Sequence, residues 1–275
     1  KTTTVKMLTT LLIPTAGSAT VAGFDVVKKE NEVRKRIGFI FGGERGLYWR
    51  LSGNDNLRYF ASLYGVDPDV SAKRIPYLLE MVGLQGRGNE RVEGYSRGMK
   101  QRLHVARTLL HNPDILFLDE PTIGLDPVGA REFRQVILDL QSEKKTILLT
   151  THYMFEADLL CDRIAIIDKG RMVALDTPSG LKKYVSDLSV VEVETFGAPQ
   201  EVLGKLRALS FVDSLSVEDQ DQRQMLVVQT KRGAEAVPDL MAALEGQRVG
   251  RVIVREPTLE DAYVRVRNGQ ALLIG

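Results

Sequence analysis

The chain has 275 residues, enough for one large domain and a smaller companion, because single hydrophobic cores stop growing at roughly 250 to 300 residues. Its 37 basic and 36 acidic side chains nearly cancel, which removes any global electrostatic case for a nucleic-acid partner. No apolar run approaches the roughly 20 residues of a membrane-spanning helix, and the single cysteine, Cys161, excludes an intrachain disulfide and reads as a small buried hydrophobe.

The opening Lys1-Thr2-Thr3-Thr4 has neither an initiator methionine nor a targeting pattern, and is expected to be a clipped N-terminus. Val5, Leu8, Leu11 and Leu12 recur at helical spacing and predict a helix over residues 2–12, followed by a turn at 14–18. Residues 20–22 and Ile37–Phe41 read as strands, with a charged, solvated helix over 28–36 between them. From 54 to 94 the pattern is mostly helical, with Leu57, Phe60 and Leu63 and then Leu78, Leu79 and Val82 forming two groups at three- and four-residue spacings. A strand at 115–118, a helix over Pro127–Ser142 and strands at Thr146–Thr150 and 163–168 predict a largely parallel sheet with helical cover.

Past Pro178 the texture changes. Val190-Val191-Glu192-Val193-Glu194 alternates like a half-buried strand, residues 198–209 and 234–244 read as helices, and 212–218, 225–229 and Val249–Arg255 as strands. That order, βαββαβ, is the ferredoxin-like pattern. The expected organisation is a first domain over 1–180, with a helical subdomain at about 54–110, and a second α+β domain over 185–275.

Chemistry concentrates between Tyr95 and His152. The run Ile115-Leu116-Phe117-Leu118 ends in Asp119-Glu120-Pro121, two carboxylates at a strand's carboxyl end, where ligand sites of parallel sheets lie. There Asp119 can hold Mg2+ through its water shell and Glu120 can polarise an attacking water. Taken alone, Asp-Glu-Pro would only open a loop. Tyr95-Ser96-Arg97-Gly98-Met99 opens a helix and offers an anion a hydroxyl, N–H groups and a positive dipole end, although serine there is most often a simple N-cap. Gly124-Leu125-Asp126-Pro127 follows the carboxylates, and Thr150-Thr151-His152 ends the next strand. Lys1-Thr2 matches the last two positions of the Gly-x-x-x-x-Gly-Lys-Ser/Thr phosphate loop.

In this order and spacing the residues resemble the ATP-binding-cassette (ABC) superfamily over residues 1 to about 180. Tyr95 to Met99 is similar to its signature motif, Leu116 to Glu120 to its Walker B strand, Gly124 to Asp126 to its D-loop and His152 to its switch histidine. The resemblance implies an α/β P-loop NTPase with a parallel-sheet core and helical subdomain, ATP as substrate and Mg2+ as cofactor. Glu120 and His152 would be catalytic, Thr2 and Asp119 metal-binding, and Lys1, Thr2, Thr3, Ser96, Gly98 and Asp126 nucleotide-binding. It further implies a head-to-tail pair, with a second copy or a homologous subunit supplying Ser96 and Gly98 to the ATP held by Lys1 and Thr2. A separate membrane-spanning permease is expected to dock around Leu47-Tyr48-Trp49, with the protein on the cytoplasmic face of a bacterial or archaeal plasma membrane.

Two departures qualify the match. Arg97 and Met99 stand where the broad family has glycine and glutamine, a variant similar to the branch that exports drugs and polysaccharides; the tail Glu256-Pro257-Thr258-Leu259-Glu260-Asp261-Ala262-Tyr263 also resembles that branch. The family's Q-loop glutamine should fall near Gly42 or Gly43, and only Glu44 is close enough to substitute, so slower rather than absent hydrolysis is expected. The competing readings are a soluble cassette acting on ribosomes or DNA, which lacks its paired cassettes or coiled coils here, and an ATP sensor with little hydrolysis, against which Glu120 and His152 speak.

Overall fold

A computed structural model describes residues 1–41, 46–220 and 223–267. The expected Q-loop position at Gly42 and Gly43, and its neighbour Glu44, lie outside the described residues. The chain divides into two compact units, Lys1–Glu156 and Ala157–Gly275.

The first unit opens with α1 (Thr2–Leu8), which stops short of the expected residue 12. Thr10 adopts a left-handed φ of 63°, the Leu11 N–H bonds Lys6 O at 2.8 Å and the Thr10 N–H bonds Met7 O at 3.2 Å, a Schellman ending that leaves Leu11 and Leu12 exposed. Strands β1 (Thr20–Val21) and β2 (Phe24–Asp25) form a hairpin across Ala22 and Gly23, both at positive φ as a primed two-residue turn requires. Helix α2 is only Glu30–Arg34, shorter than the expected 28–36.

After β3 (Ile37–Phe41) the helical region breaks in two, α3 (Gly53–Leu63) and α4 (Pro68–Met81), because Gly65 takes a positive φ and Asp67 starts a new helix as its N-cap. A 3-10 turn at Val92–Gly94 leads into α5 (Arg97–Thr108), capped by Ser96. Then come β4 (Ile115–Asp119), α6 (Pro127–Ser142), capped by Asp126, and β5 (Thr146–Thr150). The three longer strands form a parallel sheet in the order β3-β4-β5. Central β4 is buried from Leu116 onward, which is why its sequence is a continuous apolar run rather than an alternation. A methyl group at Gly38 would collide with Thr108 and Leu116, so glycine lets α5 lie close on the sheet. Leu57, Leu78, Leu103, Leu116, Phe133 and Ile137 are among the core side chains of this unit.

Helix α7 (Met154–Leu160) was not expected from the sequence. The second unit contains a hairpin of β6 (Ile164–Asp168) and β7 (Arg171–Asp176), turned by Lys169 and Gly170 at φ 45° and 80°, and the short α8 (Pro178–Lys183). Cys161 is half-buried, contrary to the expectation of full burial.

Beyond it run β8 (Ser189–Thr195), α9 (Gln200–Arg207), β9 (Val212–Gln220), β10 (Arg223–Thr230), α10 (Val237–Ala243) and β11 (Val249–Arg255), closing with α11 (Leu259–Arg267). The sheet order β11-β8-β10-β9, with every neighbouring pair antiparallel, is the ferredoxin-like topology expected from the sequence. Val191, Val193, Leu226 and Val228 on one face pack on Leu203 and Leu206 of α9, Leu240 of α10 and Leu244 just after it.

Candidate active site

Register places the site. Phe41, Asp119 and Thr150 are mutual partners across β3, β4 and β5, so three parallel strands end on one line. The residues that leave β4 and β5 therefore emerge side by side.

Asp119 is buried, and one carboxylate oxygen accepts the Thr150 hydroxyl. The Glu120 N–H bonds Thr150 O at 2.9 Å and its hydroxyl oxygen at 3.2 Å, so Thr150 pins both carboxylate-bearing residues. Glu120 itself has φ +48°, a left-handed conformation that costs a non-glycine residue about 1 kcal/mol or more and that the surrounding bonds must sustain. Its Oε2 lies 3.4 Å from His152 Nδ1, and both side chains keep substantial solvent access, 33% and 46%. Tyr153 packs against the His152 ring with centroids 4.1 Å apart.

Lys1 joins this edge. It precedes the first turn of α1, where Thr2 and Thr3 are exposed, and its ammonium donates to Thr151 O at 2.7 Å, one residue before His152. The structure thus brings Lys1, Asp119, Glu120 and His152 to one sheet edge, from positions 151 residues apart in the chain.

Ser96, Gly98 and Asp126 form a second group. The Ser96 hydroxyl accepts the Met99 N–H at 3.2 Å, and Asp126 accepts the Gly129 N–H at 2.8 Å, so within one chain both act as helix N-caps. Both side chains are exposed. A methyl group built on Gly98 would come no nearer than 3.5 Å to Gly129 Cα, an ordinary contact, so packing inside this chain does not demand glycine there.

Sequence reading overlooked the pinning role of Thr150 and the buried carboxylate Glu156. Threonine repeated at a strand end beside an acidic strand end was the available signal for the first.

Among the described residues no three His, Cys, Asp or Glu side chains cluster to hold a metal by themselves. Hydroxyl and carboxylate oxygens are nonetheless the donor type Mg2+ takes, and that ion keeps much of its water shell. Also among the described residues, no helix is long and apolar enough to cross a membrane.

A family model described as ABC transporter matches residues 1–123. The fluoroquinolones export ATP-binding protein of Mycobacterium tuberculosis is 46% identical over 272 residues, covering 98% of this chain and 80% of that protein. A daunorubicin resistance ATP-binding protein of Streptomyces coeruleorubidus is 37% identical over 270 residues, covering 97% and 82%. A solved structure of the ATP-binding subunit of an ABC transporter superposes with a TM-score of 0.58 at 29% identity, over 67% of this chain and 76% of that one. With the sheet edge described above, these likenesses place the chain in the ABC transporter family, among its ATP-binding subunits.

Proposed function

We propose that this ATPase powers export through a separate membrane-spanning permease, and that two copies, or this chain and a homologous subunit, close head to tail on ATP. The observation that carries the reading is the Glu120–His152 pair, at 3.4 Å, beside the Lys1 ammonium at the end of the parallel sheet. Lys1 and Thr3 contact the phosphates from one side. Glu120 polarises the attacking water, and His152 holds Glu120 and the γ-phosphate in register. Thr2 and Asp119 would hold Mg2+, which would supply neutralising charge to the bound triphosphate.

Ser96 and Gly98 of the second subunit close the other side, with Asp126 at the joint. The exposure of Ser96 and Asp126, and a glycine at 98 that its own chain does not require, support this reading. Export rather than import is supported by the names of the relatives, which concern drug export and resistance. The permease docks on the aromatic face of the helical subdomain, where Tyr48, Trp49 and Tyr59 are each about half exposed and Tyr48 packs edge-on to Tyr59. We assign residues 1–180 to nucleotide handling and 185–275 to an accessory domain, with the protein at the cytoplasmic face of a bacterial membrane.

Subunit complementation tests the shared site. Lys1→Ala and Ser96→Arg proteins are each expected to be inactive, and mixing them restores hydrolysis, because one of the two sites in a mixed pair keeps both intact halves. Mixtures as inactive as their components would overturn the head-to-tail arrangement.

A further inference from the structure

The loops that carry Glu120 and His152 are tied by a single buried carboxylate on a different element. Glu156, in the first turn of α7, is 3% exposed. Its Oε2 accepts two hydroxyls, from Thr122 at 2.9 Å and from Thr151 at 3.1 Å. Its Oε1 takes Arg134 Nη1 of α6 at 3.1 Å. Thr122 lies two residues beyond Glu120, and Thr151 immediately precedes His152.

The polarity of this network is fixed. Thr151 Oγ1 accepts the Tyr153 N–H at 3.0 Å, so its one proton goes to Glu156, and the Thr151 carbonyl receives Lys1. An ionised carboxylate is the side chain that can accept both threonine hydroxyls and the Arg134 guanidinium at once. A contact as long as 3.4 Å between Glu120 and His152 is not held by its own strength; it depends on where the two loops are set.

We infer that Glu156 is a positioning residue for hydrolysis: through Thr122 and Thr151 it fixes the spacing of Glu120 and His152, while Arg134 neutralises its charge. This rests on the assignment of Glu120 and His152 as the hydrolytic pair.

The test is steady-state ATP hydrolysis by the whole protein, with Tm measured alongside. Removing Glu156 alone strands Arg134 and confounds stability with rate, so both charges are removed together in Glu156→Leu/Arg134→Leu. The expected result is a kcat lowered by about tenfold to a hundredfold with KM for ATP unchanged, the size of effect that small misplacements produce. Glu156→Gln/Arg134→Leu, which keeps an acceptor of the same shape, is expected to recover most of the rate; should the leucine pair not fold, Thr122→Val, which cuts the link between the Glu120 loop and Glu156, is expected to show the same fall in kcat at unchanged KM. Adding His152→Ala to the leucine pair is expected to take kcat little lower than His152→Ala does alone, because both act on one contact. Wild-type kcat in the leucine pair, an equal fall in kcat and in ATP affinity, or full additivity with His152→Ala would each overturn the proposal. Hydrolysis that survives Glu120→Gln would instead remove the reading beneath it.

Discussion

The end of the parallel sheet and the tail of the second unit both gather carboxylates, and they use them in opposite ways. In the tail, Asp261 is saturated: Oδ2 accepts the Thr258 N–H at 2.7 Å, the Thr258 hydroxyl at 2.9 Å and Arg255 Nη1 at 2.6 Å, while Oδ1 takes Arg255 Nη2 at 3.3 Å. Arg255 also bonds Glu192 at 2.6 Å, which ties α11 to β8 and β11. Burial alone would raise the Asp261 carboxyl, but the Arg255 guanidinium and the Thr258 donors outweigh it and hold it below the usual carboxylate range. Glu120, by contrast, sits on a strained backbone, one-third exposed, facing a histidine at 3.4 Å. A carboxylate whose neighbours use every lone pair holds a structure together; one kept short of saturation is available to a substrate.

The largest expected effect breaks the saturated side. Asp261→Ala removes the acceptor of both Thr258 donors at the start of α11 and part of the Arg255 pairing, and is expected to cost about 3 kcal/mol by urea unfolding while leaving the hydrolysis rate per folded molecule unchanged. On the open side, His152→Ala is expected to lower kcat about a hundredfold with Tm unchanged, the reverse pattern. Gly98→Ala sharpens the contrast, since nothing in its own chain resists the methyl group: an unaltered Tm and about a tenfold slower turnover are expected, the loss arising only when the phosphate approaches.

The smallest effect concerns His104, buried in α5, where burial first and the nearby Arg107 charge second depress its pKa from 6.5 to about 3. The folded protein therefore excludes a proton that the unfolded chain binds once pH drops below 6.5. The stability contributed is complete above that value and is lost progressively as pH falls toward 3. Between pH 6.5 and 5.5 the loss is about 1 kcal/mol, and His104→Leu is expected to flatten it in pH-dependent urea titrations.

What the sequence disclosed follows from what has a period or a fixed order. Strand β4 was legible because four apolar residues end in two carboxylates, and the second sheet because Val190 to Glu194 alternates and helices separate the strands. Helix α7 was not, because seven residues make too few turns for a period to stand out, and with it went Glu156. Strand β7 was missed although Lys169-Gly170 carried a hairpin signal, and α1 was read past its end because the threonine that closes it, Thr10, is rare in the left-handed conformation that glycine usually supplies. At the site, Asp119, Glu120 and His152 were found by order and spacing. The left-handed φ of Glu120 and the pinning by Thr150 are properties of strand register, and register appears only when β4 and β5 lie side by side.

The unsaturated carboxylate at the sheet edge, and not the fold around it, carries turnover. Single-turnover hydrolysis of bound ATP by Glu120→Gln tests it most directly. The expected rate is lower by about a hundredfold or more with ATP still bound and Tm unchanged; hydrolysis at the wild-type rate would show that Glu120 does not carry the reaction.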